Sequence, residues 1–408
     1  MAAMLVALLL AAESCGQPQR APAADVEPSR VFLVDADALA ETKRRVAAGD
    51  PQLAPAMVQL RREADEALRA GPFSVMDKRA VPPSGDKHDY MSVGPYWWPD
   101  SNKPDGKPYI RRDGRVNPER HQYDNVPLSR MCDAANTLAL AYYLTGEEPY
   151  ADRAARLLRT WFSAPATRMN PHLQYGQAIP GRCDGRGIGI IDTARLPKLV
   201  DSVGMLAGSG SWTAADQQAL QSWFRAYLRW LLKSKYGRDE ARTKNNHATW
   251  YDVQVASFAL FVGDQPTARD VLANAAARRI ATQIEPDGRQ PHELARTKSF
   301  SYSTMNLRGM FDLAALGEHV GVDLWNFQTD DGRGIRRALD WLIPFATGKK
   351  QWRHEQITGL HPEALRPLLR RAAAAYGHRP YEKLLEKLSD ENPEVGRDVL
   401  LYPTGHRP

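Results

Sequence analysis

Three short clusters concentrate side chains that bind anions and move protons: Gly94-Pro-Tyr-Trp-Trp-Pro-Asp100, Lys244-Asn-Asn-His-Ala-Thr-Trp250, and Gln290-Pro-His-Glu-Leu-Ala-Arg296, the last followed by Ser299-Phe-Ser-Tyr302. The amide of Asn246, the imidazole of His247 and the guanidinium of Arg296 are the group types that neutralise a carboxylate. A tyrosine such as Tyr302 beside a cation can give or take a proton, because nearby positive charge favours the phenolate. Other chemistries lack their signatures. The chain has no CxxC pair, no HExxH and no complete phosphate-binding loop, and His354-Glu355 lacks the second histidine of a zinc helix. Gly185, Gly187 and Gly189 are closely spaced but follow no predicted strand, which removes a dinucleotide-binding reading. Neither a metal nor a cofactor is expected.

Taken together, the clusters resemble the motifs of the alginate-lyase domain family over roughly residues 80–310, and the last two are similar to the catalytic segments of its alginate and glucuronan lyases. The resemblance implies an α/α toroid that cuts a uronic-acid polymer by β-elimination. In that reaction the C5 proton beside the C6 carboxylate is removed and the O4 substituent leaves, giving a 4,5-unsaturated end. By resemblance, Asn246 and His247 contact the carboxylate, Arg296 neutralises it or holds the proton balance of the tyrosine, and Tyr302 is base, acid or both, with His247 as the alternative base. In β-linked mannuronate and glucuronate the C5 hydrogen and the C4 oxygen share a ring face, so one tyrosine can serve both steps. Guluronate places them on opposite faces and requires two groups, His247 with Tyr302.

Candidate substrate contacts each have a plainer reading beside them. Tyr96, Trp97 and Trp98 either stack on sugar rings or anchor a long loop in the core. Asn125, closing the run Arg120-His-Gln-Tyr-Asp-Asn125, lines a cleft or serves a loop's internal bonding. His172, Gln174 and Tyr175, with Gln177, Arg182 and Arg186 in the following Gly-rich segment, reach further uronate carboxylates or are solvated loop residues. His292 and Glu293 orient Arg296 or cap a turn. Singly, Asn246 and His247 read as a helix cap, Arg296 as a surface ion-pair residue and Tyr302 as a core aromatic. Two other functions compete. A glycoside hydrolase would need paired carboxylates, for which Asp124, Asp192, Asp252 and Glu293 are candidates without a convincing spacing. A noncatalytic lipoprotein that binds acidic polysaccharide would keep the aromatic and basic residues but have no need of Tyr302.

The elements that must position these residues read as helices. Helical patterns are predicted at 35–48, 54–70, 127–144, 150–162, 192–206, 213–232, 246–262, 267–284, 304–319, 334–345, 363–376 and 380–388, with almost no alternating strand pattern. Gly146, Gly263 and Gly377 stand where helices must stop. Segments 134–143 and 253–262 are apolar on most faces, as inner helices under an outer layer would be. An all-α fold of two helical layers, an incomplete α/α toroid spanning 31–408 as a single domain, satisfies both patterns. The stretch 82–125 breaks the rhythm with many Pro, Gly and Asp residues, yet it holds Tyr90, Tyr96, Trp97, Trp98 and Tyr109, whose rings must pack on something or receive something.

Of the 408 residues, 43% are hydrophobic and 25% charged, a composition able to bury a large core rather than remain disordered. The net charge of +6 favours an anionic partner, and its scatter without a Lys/Arg run argues against nucleic acid. No protein partner is expected. The apolar run Met4 to Ala12 is too short to span a bilayer and reads as a signal peptide over 1–15, for export to the periplasm or, with Cys15 as a lipid anchor, to the outer membrane. Residues 16–30, rich in Pro and Ala, read as a linker. Cys132 and Cys183 form either one bridge or two free thiols.

Overall fold

In a computed structural model, which describes residues 30–377, 379–388 and 396–403, both thiols are free and Cys132 is buried. The expected signal peptide, Cys15 and the linker up to residue 29 lie outside the described residues. Sixteen α-helices are present among those described, besides shorter 3-10 and π turns: α1 Ala36–Ala47, α2 Ala54–Ala67, α3 Asn125–Thr145, α4 Glu148–Leu158, α5 Leu196–Met205, α6 Ala214–Lys233, α7 Lys235–Ala241, α8 Asn246–Val262, α9 Gln265–Ala275, α10 Ala281–Gln283, α11 Pro291–Leu294, α12 Ser299–Glu318, α13 Ile335–Ala346, α14 Arg366–Tyr376, α15 Arg379–Leu385 and α16 Arg397–Leu401.

Local chemistry explains most of these boundaries. Asp35 accepts from the Ala38 N–H to start α1, and Thr213 with Asp216 forms a reciprocal cap on α6. α3, α8 and α14 end at Gly146, Gly263 and Gly377, each left-handed with φ of 73°, 81° and 59°. α8 is buried on every side, only His247 and Val262 reaching partial exposure, which is the environment an all-round apolar helix requires.

α3 packs beside α5, α5 beside α8 and α8 beside α12, forming the inner row. Outside it, α1, α2 and α4 cover α3, while α6 and α9 cover α8 and α13 covers α12. The result is the two-layered, incompletely closed α/α toroid. The first and last described segments meet: α16 returns to α1, α2 and α14, and the N–H groups of Phe32, Leu33 and Val34 all donate to the Asp201 carboxylate on α5 at 2.8–3.0 Å. Two charged side chains sit inside this packing as a pair, Asp252 of α8 with Arg279, at 2.7 Å and with 3% and 4% of their side-chain surfaces exposed.

α8 and α12 run parallel, and this aligns the site. Gln290 donates to the Ser303 carbonyl while Glu293, one turn on, holds Asn246. Deeper in, Thr249 and Asn306 both donate to Gln283 Oε1, at 3.1 and 3.0 Å. Residues 246 and 303, and then 249 and 306, therefore lie side by side, so both helices begin on the same face of the toroid.

Several boundaries differ from the sequence expectation. α12 begins at Ser299 rather than 304, because its first N–H groups find partners in a distant segment: Ser299 N donates to the Glu355 carbonyl and Phe300 N to Gln356 Oε1. This places Tyr302 on a helix. α7, α11 and α16 were not expected, and neither were four short strands, β1 Met91–Val93, β2 Trp97–Trp98, β3 Ile110–Arg111 and β4 Tyr175–Ala178. β1 pairs in parallel with β4 and β2 antiparallel with β3, which gives the loop 82–125 its order.

Candidate active site

Tyr302, in the first turn of α12, has its hydroxyl 2.5 Å from that of Tyr96 and 3.0 Å from Nη2 of Arg296, which donates to it. The guanidinium also lies 4.0 Å from the centre of the Tyr302 ring. Arg296 is fixed from its far side by Asp113, through Nε to Oδ2 at 3.2 Å and Nη2 to Oδ1 at 2.9 Å. The turn carrying Asp113 approaches so closely that a Cβ on Gly114, whose φ is +72°, would stand 2.4 Å from the Thr297 hydroxyl. Arg296 and Tyr302, six apart in sequence, thus converge through the end of α11, the first turn of α12 and a loop from residue 113.

Charges within this group are well separated by environment. Burial would raise the Asp113 carboxyl, but Arg296 and then Arg111 outweigh it and hold the group well below the usual carboxylate range. A carboxyl depressed in the folded state stabilises above its unfolded pKa and loses that contribution only as pH falls through the lower folded value, so the ion pair is intact throughout the neutral range. Burial, and next Tyr96, push the Tyr302 phenol above its ordinary value despite Arg296, so the resting phenol carries its proton. Asp113→Asn keeps the shape but removes the charge that aims Arg296; kcat on the enzyme's polymer is expected to fall roughly ten- to a hundredfold, the range for a hydrogen bond to a charged group. A steady-state comparison checks it, and an unchanged kcat would remove Asp113 from the positioning of Arg296.

At the start of α8, free N–H groups and the helix dipole favour an anion. A protein anion already sits there: Glu293 accepts from the Asn246 backbone N–H at 2.6 Å and from Asn246 Nδ2 at 2.7 Å. Glu293 is buried, and burial pushes its carboxyl up against those two bonds. Glu293 thus holds Asn246 in place, with the charge of Arg296 close enough to act on it. One amide hydrogen and the carbonyl of Asn246 remain for other use. His247, half-buried, has Nδ1 2.8 Å from the buried carboxylate of Glu240 on α7. This bond selects the tautomer with the proton on Nδ1 and leaves Nε2 as the acceptor.

A basic and aromatic wall continues the site. Trp97 lies 5.2 Å from the Arg182 guanidinium and 5.9 Å from that of Arg186, while Arg112 stands 5.4 Å from the Trp98 ring. Trp97 and Trp98 are half-buried strand residues rather than core anchors; of the aromatic residues in the same loop only Tyr90 is fully buried, donating to Asp192 at 3.0 Å. Among the described residues Arg186 makes no ion pair, bonding the backbone and side-chain oxygens of Gln177, both at 3.0 Å. Burial lowers its pKa, as an unmatched cation requires. Gln177 is itself left-handed, with φ 48°, and is held there by Ser92 and Asp192. The Gly-Arg-Gly-Ile-Gly run serves packing: a Cβ at Gly185 would lie 2.0 Å from the Gln174 carbonyl, and one at Gly189 2.4 Å from that of Gly176.

The other sequence candidates spread outward. Asn125 is buried at the start of α3 with its side-chain oxygen unpartnered. His172 pairs with Asp89 at 3.0 Å, Tyr175 opens β4 beside Met91, and Gln174, Arg182 and His292 are exposed. Among the described residues none of these shares a hydrogen bond with Tyr302. Asp113 and Glu240 escaped the sequence reading, since a carboxylate in an Asp-Gly turn and another seven residues before a histidine carry no local signal.

The alginate lyase family model matches residues 74–352 of this chain. The chain belongs to the alginate lyase family. A crystal structure of an alginate lyase from Bacteroides ovatus is 41% identical, covers 92% of this chain and 100% of its own, and superimposes with a TM-score of 0.89. Alginate lyase A1-III from Sphingomonas species A1, 16% identical over 95% of this chain and 98% of its own, gives a TM-score of 0.57, a likeness of fold. A histidine-to-alanine variant of that enzyme, complexed with a tetrasaccharide, matches at 15% identity over 93% and 97% with a TM-score of 0.58. No curated protein sequence matches the chain. The protein is a polysaccharide lyase with the fold its family predicts.

Proposed function

We propose that this lyase cleaves a β-linked uronate polymer, alginate rich in mannuronate or glucuronan, by β-elimination centred on Tyr302. The observation that carries the reading is the clamp on its phenol, with the Tyr96 hydroxyl at 2.5 Å and the Arg296 guanidinium at 3.0 Å. In this reading the C6 carboxylate is neutralised by Arg296 and Asn246, with His247 joining them when both of its ring nitrogens carry protons, which acidifies C5–H. The C5–H bond breaks with its proton passing to the base, the C4=C5 double bond forms, and O4 departs with a proton from Tyr302. The base is Tyr302 itself as the phenolate, its own proton having first passed to solvent water and Arg296 stabilising the anion; the proton it then takes from C5 is the one it returns to O4. A second reading is favoured by one observation, the Glu240 bond that leaves His247 Nε2 as an acceptor. There His247 is the base and Tyr302 the acid, the arrangement guluronate needs.

A hydrolase is the poorer account, because its candidate carboxylates already have structural work. Asp124 pairs with Lys78 at 3.0 Å, Asp192 accepts from Tyr90, Ser92 and Gln177, Asp252 holds Arg279, and Glu293 holds Asn246. Ultraviolet absorbance over time, on polymannuronate, polyguluronate, glucuronan, hyaluronan and a neutral glucan, tests the proposal, since elimination leaves a conjugated uronate that hydrolysis cannot. A rise on polymannuronate or glucuronan is the expected result, and a rise on polyguluronate alone would transfer the base role to His247. New reducing ends without absorbance would replace the proposal with hydrolysis.

A further inference from the structure

A cavity of about 380 Å³ lies between α3, α5, α12, α14 and α16, and none of Asn246, His247, Arg296 and Tyr302 lines it. Most of the charges around it are matched. Arg195 pairs with Asp133 at 2.7 Å, Arg371 with Asp312 at 2.6 Å, Arg370 with Asp398 at 2.7 Å and Arg397 with Glu63 at 2.5 Å. Two lining cations are not: among the described residues neither Lys198 of α5 nor Arg308 of α12 makes an ion pair. Lys198 is solvent-exposed and Arg308 half-buried where they line the cavity. Desolvation by the cavity wall, and then Arg308, hold the Lys198 ammonium below the ordinary lysine value. Lys198 and Arg308 repel each other across this space, an effect offset only in part by Asp312, which is already paired with Arg371, and a bound anion would relieve it.

The rest of the lining narrows the anion. The cavity is far larger than a bare inorganic ion, falling at the small end of the range of roughly 300–1,000 Å³ for organic ligands. Its wall also offers acceptors that would repel a simple ion but receive hydroxyl groups. Asp312, 3% exposed, has Oδ2 buried without a hydrogen-bond partner. Asn136 spends its amide nitrogen on Ser202 at 3.0 Å, leaving its carbonyl oxygen. Two unmatched cations beside orphaned acceptors suit a molecule that is both carboxylate and polyol.

We propose that this cavity is a second saccharide-acid site, taking a uronate of one or two residues with its carboxylate between Lys198 and Arg308 and its hydroxyls on Asp312 and Asn136. The choice of a uronate among hydroxylated carboxylates rests on the polymer assigned above, whose cleavage products have this chemistry. Calorimetric titration of the full chain with glucuronate and mannuronate, against glucose, acetate and phosphate, tests it. A uronate is expected to bind saturably and at least tenfold more tightly than the others. Lys198→Met with Arg308→Met should weaken it tenfold or more, while His247→Ala leaves it unchanged. Lys198→Gln alone, at a solvent-touched position, should weaken it about threefold and serves if the double variant does not fold. The proposal is overturned if no uronate binds, if glucose or phosphate binds equally, if binding survives loss of both cations, or if it disappears in His247→Ala. Binding here needs no turnover, so its absence would leave the lyase reading intact, and a lyase inactive on every polymer would leave the binding result intact.

Discussion

Tyr302→Phe is expected to slow elimination by roughly 10³-fold, within the range of 10²–10⁴ for a positioned proton-transfer group, while the protein stays folded. Only the hydroxyl is lost. The ring keeps its place in the first turn of α12 and its contact with the Arg296 guanidinium, 4.0 Å from the ring centre. The hydrogen bonds to Tyr96 and Arg296 disappear, and the net worth of such bonds, about 1 kcal/mol each, makes the expected fall in melting temperature small. Polymer binding should persist, because Arg296 remains aimed by Asp113 and its surroundings still carry Asn246 and His247. Initial rates by absorbance, with a parallel binding measurement, decide the matter. A rate within tenfold of the wild type would exclude Tyr302 as the proton-moving group and turn attention to His247; loss of binding together with rate would mean that the hydroxyl recognises substrate rather than reacts with it.

Arg279→Met should have the largest effect on stability, about 3–5 kcal/mol, while the folded fraction keeps its turnover. Arg279 reaches Asp252 through Nε at 2.7 Å and Nη2 at 3.0 Å, and also donates to the Ala241 carbonyl at 2.9 Å. Burial opposes the charge on Asp252, and Arg279 is what makes that charge tolerable; removing it strands a carboxylate inside α8. A second substitution, Asp252→Leu, should recover most of the loss, because a buried pair replaced by apolar groups is close to neutral whereas a broken pair is not. Thermal unfolding of the two single variants and the double variant gives the coupling directly. Additive losses would show that the two residues act separately, and loss of activity in the folded double variant would give Asp252 the catalytic role that a hydrolase mechanism requires.

Residue types and short periods determined much of this protein by themselves. The clusters at 244–250 and 290–302 carry the amide, imidazole, guanidinium and phenol of the candidate site, and the glycines at 146, 263 and 377 end helices where their freedom to turn left-handed predicted. The all-round apolar helix at Asn246–Val262 is likewise legible, since a helix without a polar face must be buried on every side. Such signals are local: a 3.6-residue period relates a side chain to its neighbours three and four positions away and to nothing further. What only the tertiary structure decided are the partners. Asp113 on Arg296, Tyr96 on Tyr302, Glu293 on Asn246 and Glu240 on His247 join different elements. The start of α12 depends on Glu355 and Gln356 in the same way, and the unmatched pair Lys198 and Arg308 is visible only once α5 and α12 face one cavity. Which charge meets which is set by how two layers of helices close around a shared interior, and that closure is cooperative packing, to which every helix contributes and which no single segment encodes.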